Sequence, residues 1–152
     1  MYLTEIKSGK DFEVKIKSLD DDDYKKISKA QYYFNWKTEK GNNVYKLVLK
    51  DEVLGLLSCV HYKNEKRIEI RLLAVSKENR GKSKKYERIT GTLIAFACKE
   101  AMKKYGIEGC VSLVPKTILK GHYMTCYGML DAGRQVFLEG QSLLDILKEY
   151  EL

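Results

Sequence analysis

The sequence predicts an α/β (α+β) domain with a mixed, mostly antiparallel sheet and helices on both faces. Apolar segments of strand length, separated by short polar turns, follow one another through the middle of the chain. A long amphipathic pattern then separates two more apolar strands, and a helical crossover makes such strands parallel. No repeat or low-complexity linker interrupts the 152 residues, so one domain over 1–152 is expected.

The first elements are a strand and a short helix. Apolar and polar residues alternate over 12–19, which predicts a half-buried strand. The four aspartates at 20–23 suit a helix cap and first turn, where the helix dipole favours negative charge. They lack the glycine and glutamate spacing of a calcium loop. Apolar side chains then recur at helical spacing: Tyr24, Ile27, Ala30 and Phe34.

Three strands joined by tight turns are predicted next, over 44–49, 53–62 and 67–75. The middle strand is almost continuously apolar, which is typical of a strand covered on both faces. Loops this short join antiparallel neighbours, so the three strands should form a meander.

The second half alternates helices and strands. Residues 89–105 are predicted to be a long amphipathic helix that Gly106 ends. A buried strand over 109–114 follows, and a helical stretch from Pro115 ends at Gly128. A strand over 134–138 and a terminal helix over 142–150 complete the chain.

Composition limits the possible partners and compartments. The net charge of +7 permits an anionic cofactor or a polyanion without requiring either. No apolar run approaches the roughly 20 residues of a membrane span, and the N-terminal residues lack a signal peptide's apolar region. We therefore expect a cytoplasmic protein without a membrane partner.

The four cysteines, Cys59, Cys98, Cys110 and Cys126, form no C-x-x-C pair, and the first three lie in apolar runs. They are expected to be mainly buried free thiols in a reducing compartment. Neither histidine has ligand spacing to a cysteine pair, so no metal is expected.

The segment after the strand over 67–75 has the features of an anion site. Residues 76–88 leave the carboxyl end of a strand, carry five Lys or Arg side chains between residues 80 and 88, and lead into a helix N-terminus. Neither a P-loop nor a dinucleotide-binding glycine pattern is present. The alternative is a basic surface loop that binds nothing.

The run LLAVSKENRGKSKKYERITGTLI (72–94) resembles the acetyl-CoA-binding segment of the GNAT superfamily of N-acetyltransferases. Members typically have L-x-V, a short spacer and R-G-x-G-I-G-x-x-L-L. Leu73-Ala74-Val75 and Arg80-Gly81 match in order and spacing. KSKKYERIT, at 82–90, stands where the family has a compact G-x-G/A, and it looks like an insertion before Gly91.

The resemblance extends over essentially the whole chain, because the predicted order of strands and helices is similar to the family's. Its members often carry a tyrosine before a G-F, and HYMTCYGML (122–130) lies at that place. The resemblance implies a single GNAT-like acyl-CoA-binding domain. Its parallel pair, 67–75 and 109–114, would be splayed at the cofactor site. Acetyl-CoA would be the co-substrate.

The resemblance also implies the cofactor-binding residues. Main-chain groups near Leu73 and Val75 would align the pantetheine, helped by a bulge near Ala74. Arg80, Gly81 and Lys82 would approach the pyrophosphate. The far side of the loop and the helix start would contribute Tyr86, Gly91 and Thr92. Lys116 would contact CoA or an acidic substrate group, unless its neighbour Thr117 simply caps a helix.

Acetyl transfer to an amine needs a base and an acid. Glu69 stands in E-I-x-x-x-A-V, where some GNAT enzymes keep a catalytic glutamate; the alternative is a surface ion pair with Arg71. Tyr123 and Tyr127 compete as the acid, since the family position is Met124 here. Tyr123 is favoured, because Tyr127 is expected to pack in the core. His122 is either a further candidate or a polar helix position.

The function implied is an N-acetyltransferase that transfers acetyl from acetyl-CoA to a small-molecule or peptide amine by direct attack. The stretched loop favours a first alternative, a catalytically weak CoA-binding regulatory protein. The net charge permits a second, a nucleic-acid-directed GNAT such as a toxin acylating charged tRNA, although no aromatic-basic stacking motif supports it. A homodimer is compatible with the sequence, and acceptor specificity is expected in residues 24–36 and 131–140.

Overall fold

The computed structural model describes residues 1–27, 29–32 and 35–152, and this part contains ten strands and five α-helices. The strands are β1 Tyr2–Glu5, β2 Asp11–Glu13, β3 Lys15–Ser18, β4 Asn43–Leu49, β5 Glu52–Tyr62, β6 Arg67–Val75, β7 Tyr86–Glu87, β8 Cys110–Leu113, β9 Leu130–Ala132 and β10 Gln135–Glu139. The helices are α1 Asp21–Lys26, α2 Lys29–Tyr32, α3 Ile89–Tyr105, α4 Lys120–Tyr127 and α5 Gly140–Glu149.

Contacts divide the chain into two units. The first comprises Met1–Ser58 and Leu72–Leu93, and the second comprises Cys59–Arg71 and Ile94–Leu152. In the first unit the main sheet has the order β3-β4-β5-β6, and a separate three-stranded sheet has the order β2-β1-β7. In the second unit the order is β5-β6-β8-β10-β9.

The strand directions confirm the predicted mixed, mostly antiparallel sheet. β3 pairs antiparallel with β4, and β10 pairs antiparallel with both β8 and β9. β6 and β8 are parallel, as the helix between them predicts, with a register from Arg67↔Cys110 to Ile70↔Leu113. β8 ends at that last pair, whereas β6 continues to Val75.

The aspartate run begins α1 as predicted. The Asp20 carboxylate accepts a hydrogen bond from the Asp23 N–H at 2.8 Å, and the Asp23 carboxylate accepts one from the Asp20 N–H at 3.0 Å. Burial raises the pKa of Asp23, but the Lys46 ammonium at 2.7 Å and the Asp20 N–H outweigh it and hold that pKa below its usual value. The predicted single helix is wrong in extent, because α1 already ends at Lys26; Phe34 and the Ala30 side chain lie outside the described residues.

The predicted strand over 12–19 is wrong in one respect, because it divides at Val14. Its first part joins the small sheet as β2 and its second part joins the main sheet as β3. The Val14 N–H donates to the Met1 carbonyl at 3.1 Å, a bond that belongs to neither strand pairing. Three strands were not predicted from the sequence: β1, whose Leu3 side chain is fully buried, and the short strands β7 and β9.

The helical stretch predicted from Pro115 begins later. A 3-10 turn over Thr117–Leu119 comes first, and α4 starts at Lys120. Gly128, at a φ of 68°, ends α4 as predicted, and Gly106, at 71°, ends α3.

Helix α3 packs closely on β5 at Gly55. A Cβ atom at this position would lie 3.0 Å from Ile89 Cγ2 and 3.0 Å from Leu93 Cδ1. Both side chains belong to the first two turns of α3 and are buried. The missing side chain of Gly55 therefore sets how closely the start of α3 approaches the sheet.

We expect Gly55→Val to lower the free energy of unfolding by about 1–3 kcal/mol, because its methyl groups overpack the contact with α3. Gly121→Val is the control, since Gly121 has open space around its Cβ position in α4. It should change stability by less than about 0.5 kcal/mol. Urea unfolding measures both, and equal midpoints would contradict the contact.

Candidate active site

The segment that follows β6 is anchored before its cationic part begins. The Ser76 N–H donates to the Leu54 carbonyl at 3.0 Å, which ties the end of β6 to β5. Asn79 Nδ2 donates to Ser76 Oγ at 2.9 Å, and both residues are buried. The loop therefore leaves the sheet through a fixed, buried turn.

Arg80 and Gly81 form the exit from this turn. The Arg80 guanidinium is half-buried, and its Nε donates to the Val75 carbonyl at 2.5 Å. Gly81 is exposed at a φ of 69°, a conformation that favours glycine, and nothing lies within 4 Å of its Cβ position. Lys82 is exposed beside it. The backbone here is open to a ligand, with cations on both sides.

The KSKKYERIT segment is not a free loop. One 3-10 turn, Gly81–Ser83, opens it, and it then forms β7, which pairs antiparallel with β1 through Glu5↔Tyr86 and Thr4↔Glu87. The Tyr86 ring is buried edge-to-face against Phe12, at 6.3 Å between centroids. The residues that interrupt the family pattern therefore complete a small second sheet.

Helix α3 begins directly after β7. Arg88 has a φ of 81°, and its carbonyl accepts the first helical hydrogen bond from the Thr92 N–H at 2.9 Å. The N–H groups of 89–91 consequently have no partner within the 17-residue helix. Thr92 is buried, and its hydroxyl has no hydrogen-bond partner within the described part of the chain. This helix end therefore carries the positive end of the helix dipole.

The structure brings the predicted cofactor residues together in the first unit: Leu73, Ala74, Val75, Arg80, Gly81, Lys82, Tyr86, Gly91 and Thr92. They form one continuous path, from the half-buried end of β6 through the exposed Gly81 to the first turn of α3. Tyr86 stands apart within it, because its ring packs inside the small sheet. Lys116, Glu69, Tyr123 and Tyr127 belong to the second unit.

Glu69 lies on β6, opposite Ser112 of β8, with its side chain about 20% exposed. Its carboxylate is 3.6 Å from the Arg67 guanidinium. That guanidinium also binds Glu65 at 2.7 Å, donates to Ser112 at 2.8 Å and stacks on Tyr62 at 4.2 Å. Glu69 therefore faces a cation held by several other contacts.

Helix α4 presents a cluster of three rings. His122, Tyr123 and Tyr127 have ring centroids 5.9–6.1 Å apart. Burial raises the pKa of Tyr123, so its hydroxyl stays protonated at neutral pH and can donate a proton. Lys116 is exposed on the connection before α4.

Glu39 is a buried carboxylate that the sequence analysis did not single out. It is only 3% exposed, and its Oε1 accepts hydrogen bonds from Ser58 Oγ at 2.9 Å and Asn42 Nδ2 at 3.3 Å. Its position next to a predicted turn indicates exposure, so only the fold could reveal this burial.

A cleft of about 520 Å³ lies in the first unit. Lysine and acidic side chains both line it: Lys17, Asp23, Lys26, Lys46, Lys50, Asp51 and Glu52. Its charges nearly balance, and none of its lining residues belongs to 73–92. The cleft therefore lacks the excess of positive charge that the loop over 76–88 carries.

Within residues 1–27, 29–32 and 35–152, no three His, Cys, Asp or Glu side chains are grouped as a metal site requires. No helix of these residues is long and apolar enough to cross a bilayer.

No protein-family model matches this sequence, and no curated protein matches it either. Solved structures do match. A mutant AtaT toxin bound to the C-terminus of the antitoxin AtaR is 16% identical, with 92% of this chain and 99% of that chain covered and a TM-score of 0.61. A Bacillus subtilis acetyltransferase in complex with CoA is 14% identical, with 84% and 99% covered and a TM-score of 0.60.

AtaT complexed with acetyl-methionyl-tRNAfMet is 15% identical, with 89% of this chain and 99% of that chain covered and a TM-score of 0.58. Identities this low show a shared fold and no more. The fold of this chain is that of the GNAT-type acetyltransferases.

The four cysteines are free, as predicted, and differ sharply in exposure. Cys59 and Cys98 are buried, Cys110 is half-buried and Cys126 is exposed. Burial raises the pKa of Cys59 to about 12 and that of Cys110 to about 11. These thiols are therefore poor nucleophiles near neutral pH.

We expect Ellman's reagent to modify the exposed Cys126 thiol rapidly at pH 8 and the other three thiols only after unfolding. Cys126→Ser should remove the fast phase, and Cys59→Ser should leave it intact. A fast phase that persists in Cys126→Ser would contradict this assignment.

Proposed function

We propose that this chain is an N-acetyltransferase that transfers the acetyl group of acetyl-CoA to an amine. The observation that carries the proposal is the path from β6 to α3, on which an exposed glycine at positive φ lies between cations and leads into a helix N-terminus. Anionic phosphates are the ligands that such a path favours. This path occurs in a fold shared with acetyltransferases.

The residues on this path fit the cofactor. The backbone at Gly81 would approach the pyrophosphate, with Arg80 and Lys82 supplying charge, and the main chain of 73–75 would align the pantetheine. Bound acetyl-CoA would supply an activated acetyl thioester. The half-buried position of Arg80, held by the Val75 carbonyl, supports a preorganised anion site.

The chain must also move protons. An alkylamine has a pKa near ~10.4, so it must lose a proton before it attacks. In this proposal Glu69 accepts that proton, and Arg67 orients the carboxylate from 3.6 Å away. Tyr123 donates a proton to the departing thiolate. Tyr127 is the alternative acid.

A charged tRNA is the second acceptor class that we propose, beside small-molecule and peptide amines. AtaT, which shares the fold, was solved with acetyl-methionyl-tRNAfMet, and the net charge of this chain is +7. Acetylation of aminoacyl-tRNA, but of no free amine, would favour this class. A salt-dependent shift of tRNA mobility would support it.

CoA binding is the first test. Saturating CoA and acetyl-CoA should both raise the melting temperature. At a hundredfold excess of ligand over Kd, the free energy of unfolding should rise by about 2.7 kcal/mol. Lys82→Ala should weaken CoA binding about three- to tenfold through the loss of one phosphate contact. Lys77→Ala is the control: it also removes one lysine charge, at a position before Arg80, and it should leave the affinity for CoA unchanged.

The absence of any melting shift with either ligand would refute the proposed function. Binding without turnover on any amine would instead identify a CoA-binding regulatory protein.

The base assignment has a matched control, since Glu65 and Glu69 both bind Arg67. Glu69→Gln should lower kcat about 10²–10⁴-fold and leave the Kd of CoA unchanged. Glu65→Gln should leave kcat nearly unchanged. CoA release should be followed with Ellman's reagent in the Cys126→Ser background, which removes the reactive thiol of the protein.

Equal turnover in Glu69→Gln and the parent would remove Glu69 as the base. Tyr123→Phe and Tyr127→Phe, assayed in the same way, separate the two acid candidates.

A further inference from the structure

Helix α4 carries a thiol and an imidazole that contact each other. Cys126 and His122 are four residues apart in this helix, so their side chains lie one turn apart on the same face. Cys126 Sγ is 3.4 Å from His122 Nδ1, which is a hydrogen-bond distance for sulfur. Both residues are exposed. The pair is therefore open to molecules in solution.

Two tyrosine rings limit the orientation of this imidazole. The His122 ring lies edge-to-face with Tyr123, at 6.1 Å between centroids, and with Tyr127, at 5.9 Å. A nucleophile within hydrogen-bond reach of a base, with the base oriented by a third group, is the arrangement that activates serine and cysteine nucleophiles. Cys126, His122 and the two rings reproduce this arrangement on one helix.

The hydrogen bond between Cys126 and His122 can also assist the loss of the thiol proton. When the imidazole proton is on Nε2, Nδ1 accepts the S–H hydrogen bond. The thiolate is the nucleophilic form of cysteine, and an unassisted thiol is only a few per cent thiolate at neutral pH. A neighbouring base that takes the proton as the sulfur attacks therefore raises the rate of the reaction.

The other three cysteines are poorly placed for the same chemistry. Cys59 and Cys98 are buried and Cys110 is half-buried, and burial raises the pKa of each of these thiols. All four cysteines are free, and Cys126 is the one that faces solvent. The sulfur that reacts with Cys126 is therefore expected from a molecule in solution. A small disulfide needs access to a single exposed sulfur, whereas a second copy of this chain would have to bring its own α4 against this one.

We propose that Cys126 and His122 form a site of reversible S-thiolation by low-molecular-weight disulfides. Cys126 Sγ attacks one sulfur of a disulfide R–S–S–R while its proton passes to His122 Nδ1. The S–S bond of the reagent breaks, and the departing R–S⁻ takes the proton from the imidazolium. The products are Cys126–S–S–R and R–SH, so the Cys126 sulfur is oxidised and the departing sulfur is reduced. The site needs no bound CoA and stands apart from the proposed function.

The test follows the reaction with oxidised glutathione at pH 7 by intact-protein mass spectrometry. The parent should gain one glutathionyl group that dithiothreitol removes, and Cys126→Ser should gain none on the same time scale. His122→Asn should react about three- to tenfold more slowly, because its amide oxygen can accept the S–H hydrogen bond but cannot take the proton. His122→Gln should be slowed by a similar factor.

His61→Asn is the matched control, since His61 is the other histidine and its Nδ1 is also at hydrogen-bond distance, 3.0 Å from Tyr105 Oη. It should react within about twofold of the parent rate, because it shares no partner with Cys126. A second control raises the pH to ~9.5, where an ordinary thiol is mostly thiolate and needs no base. The parent and His122→Asn should then react within about twofold of each other.

Equal rates for the parent and His122→Asn at pH 7 would overturn this inference, because the imidazole would then take no part in the reaction. A deficit of His122→Asn that persists unchanged at pH ~9.5 would also overturn it, since His122 would then affect only access to the sulfur. So would an adduct that forms in Cys126→Ser at the parent rate, or a disulfide-linked dimer in place of the adduct. Each of these outcomes leaves CoA binding and amine acetylation, which are measured separately, untouched.

Discussion

The contact between Gly55 and the first turns of α3 is the constraint on which the rest of the first unit depends. A strand and a helix approach this closely only where a side chain is missing, and here the gap is filled by Ile89 and Leu93. The helix start is thereby set against β5, and β5 in turn binds the end of β6 through Ser76. The two ends of the cationic loop are therefore held by one strand.

The loop that we propose as the anion site has two differently built parts. Its first part, around Gly81, is exposed and uses backbone freedom and solvent-facing charge. Its second part is ordered by pairing with β1 and ends in Arg88, whose guanidinium stacks on the Tyr2 ring. A compact glycine turn would reach the helix with fewer residues. This chain uses a longer path and stabilises it with a second sheet.

The second unit contains the base and the acid that we propose for acyl transfer. Glu69 faces a guanidinium that is already fixed by Glu65, Ser112 and Tyr62, so the carboxylate has a defined orientation. Tyr123 is kept protonated by burial among neighbouring rings. The proposed reaction requires a base in its carboxylate form and an acid that still carries its proton.

The sequence by itself determined the long elements and their order, because periodicity is strong over many residues. The strand Arg67–Val75, the helix Ile89–Tyr105 and the parallel β6–β8 pair were all predictable, as were the aspartate cap of α1 and the glycine stops at 106 and 128. The candidate cofactor segment stays a prediction, which rests on Arg80-Gly81 following a strand at a spacing that resembles the GNAT pattern.

Only the tertiary structure decided the short elements and their partners. β1, β7 and β9 have two to four residues each, too few for a period to show, and they exist because a neighbouring strand satisfies their backbone groups. The break at Val14, the burial of Glu39 and the stack of Tyr2 on Arg88 likewise depend on residues far apart in the chain. Local pattern determines which segments can be strands and helices, whereas distant contacts decide where a charge is held and which way it points.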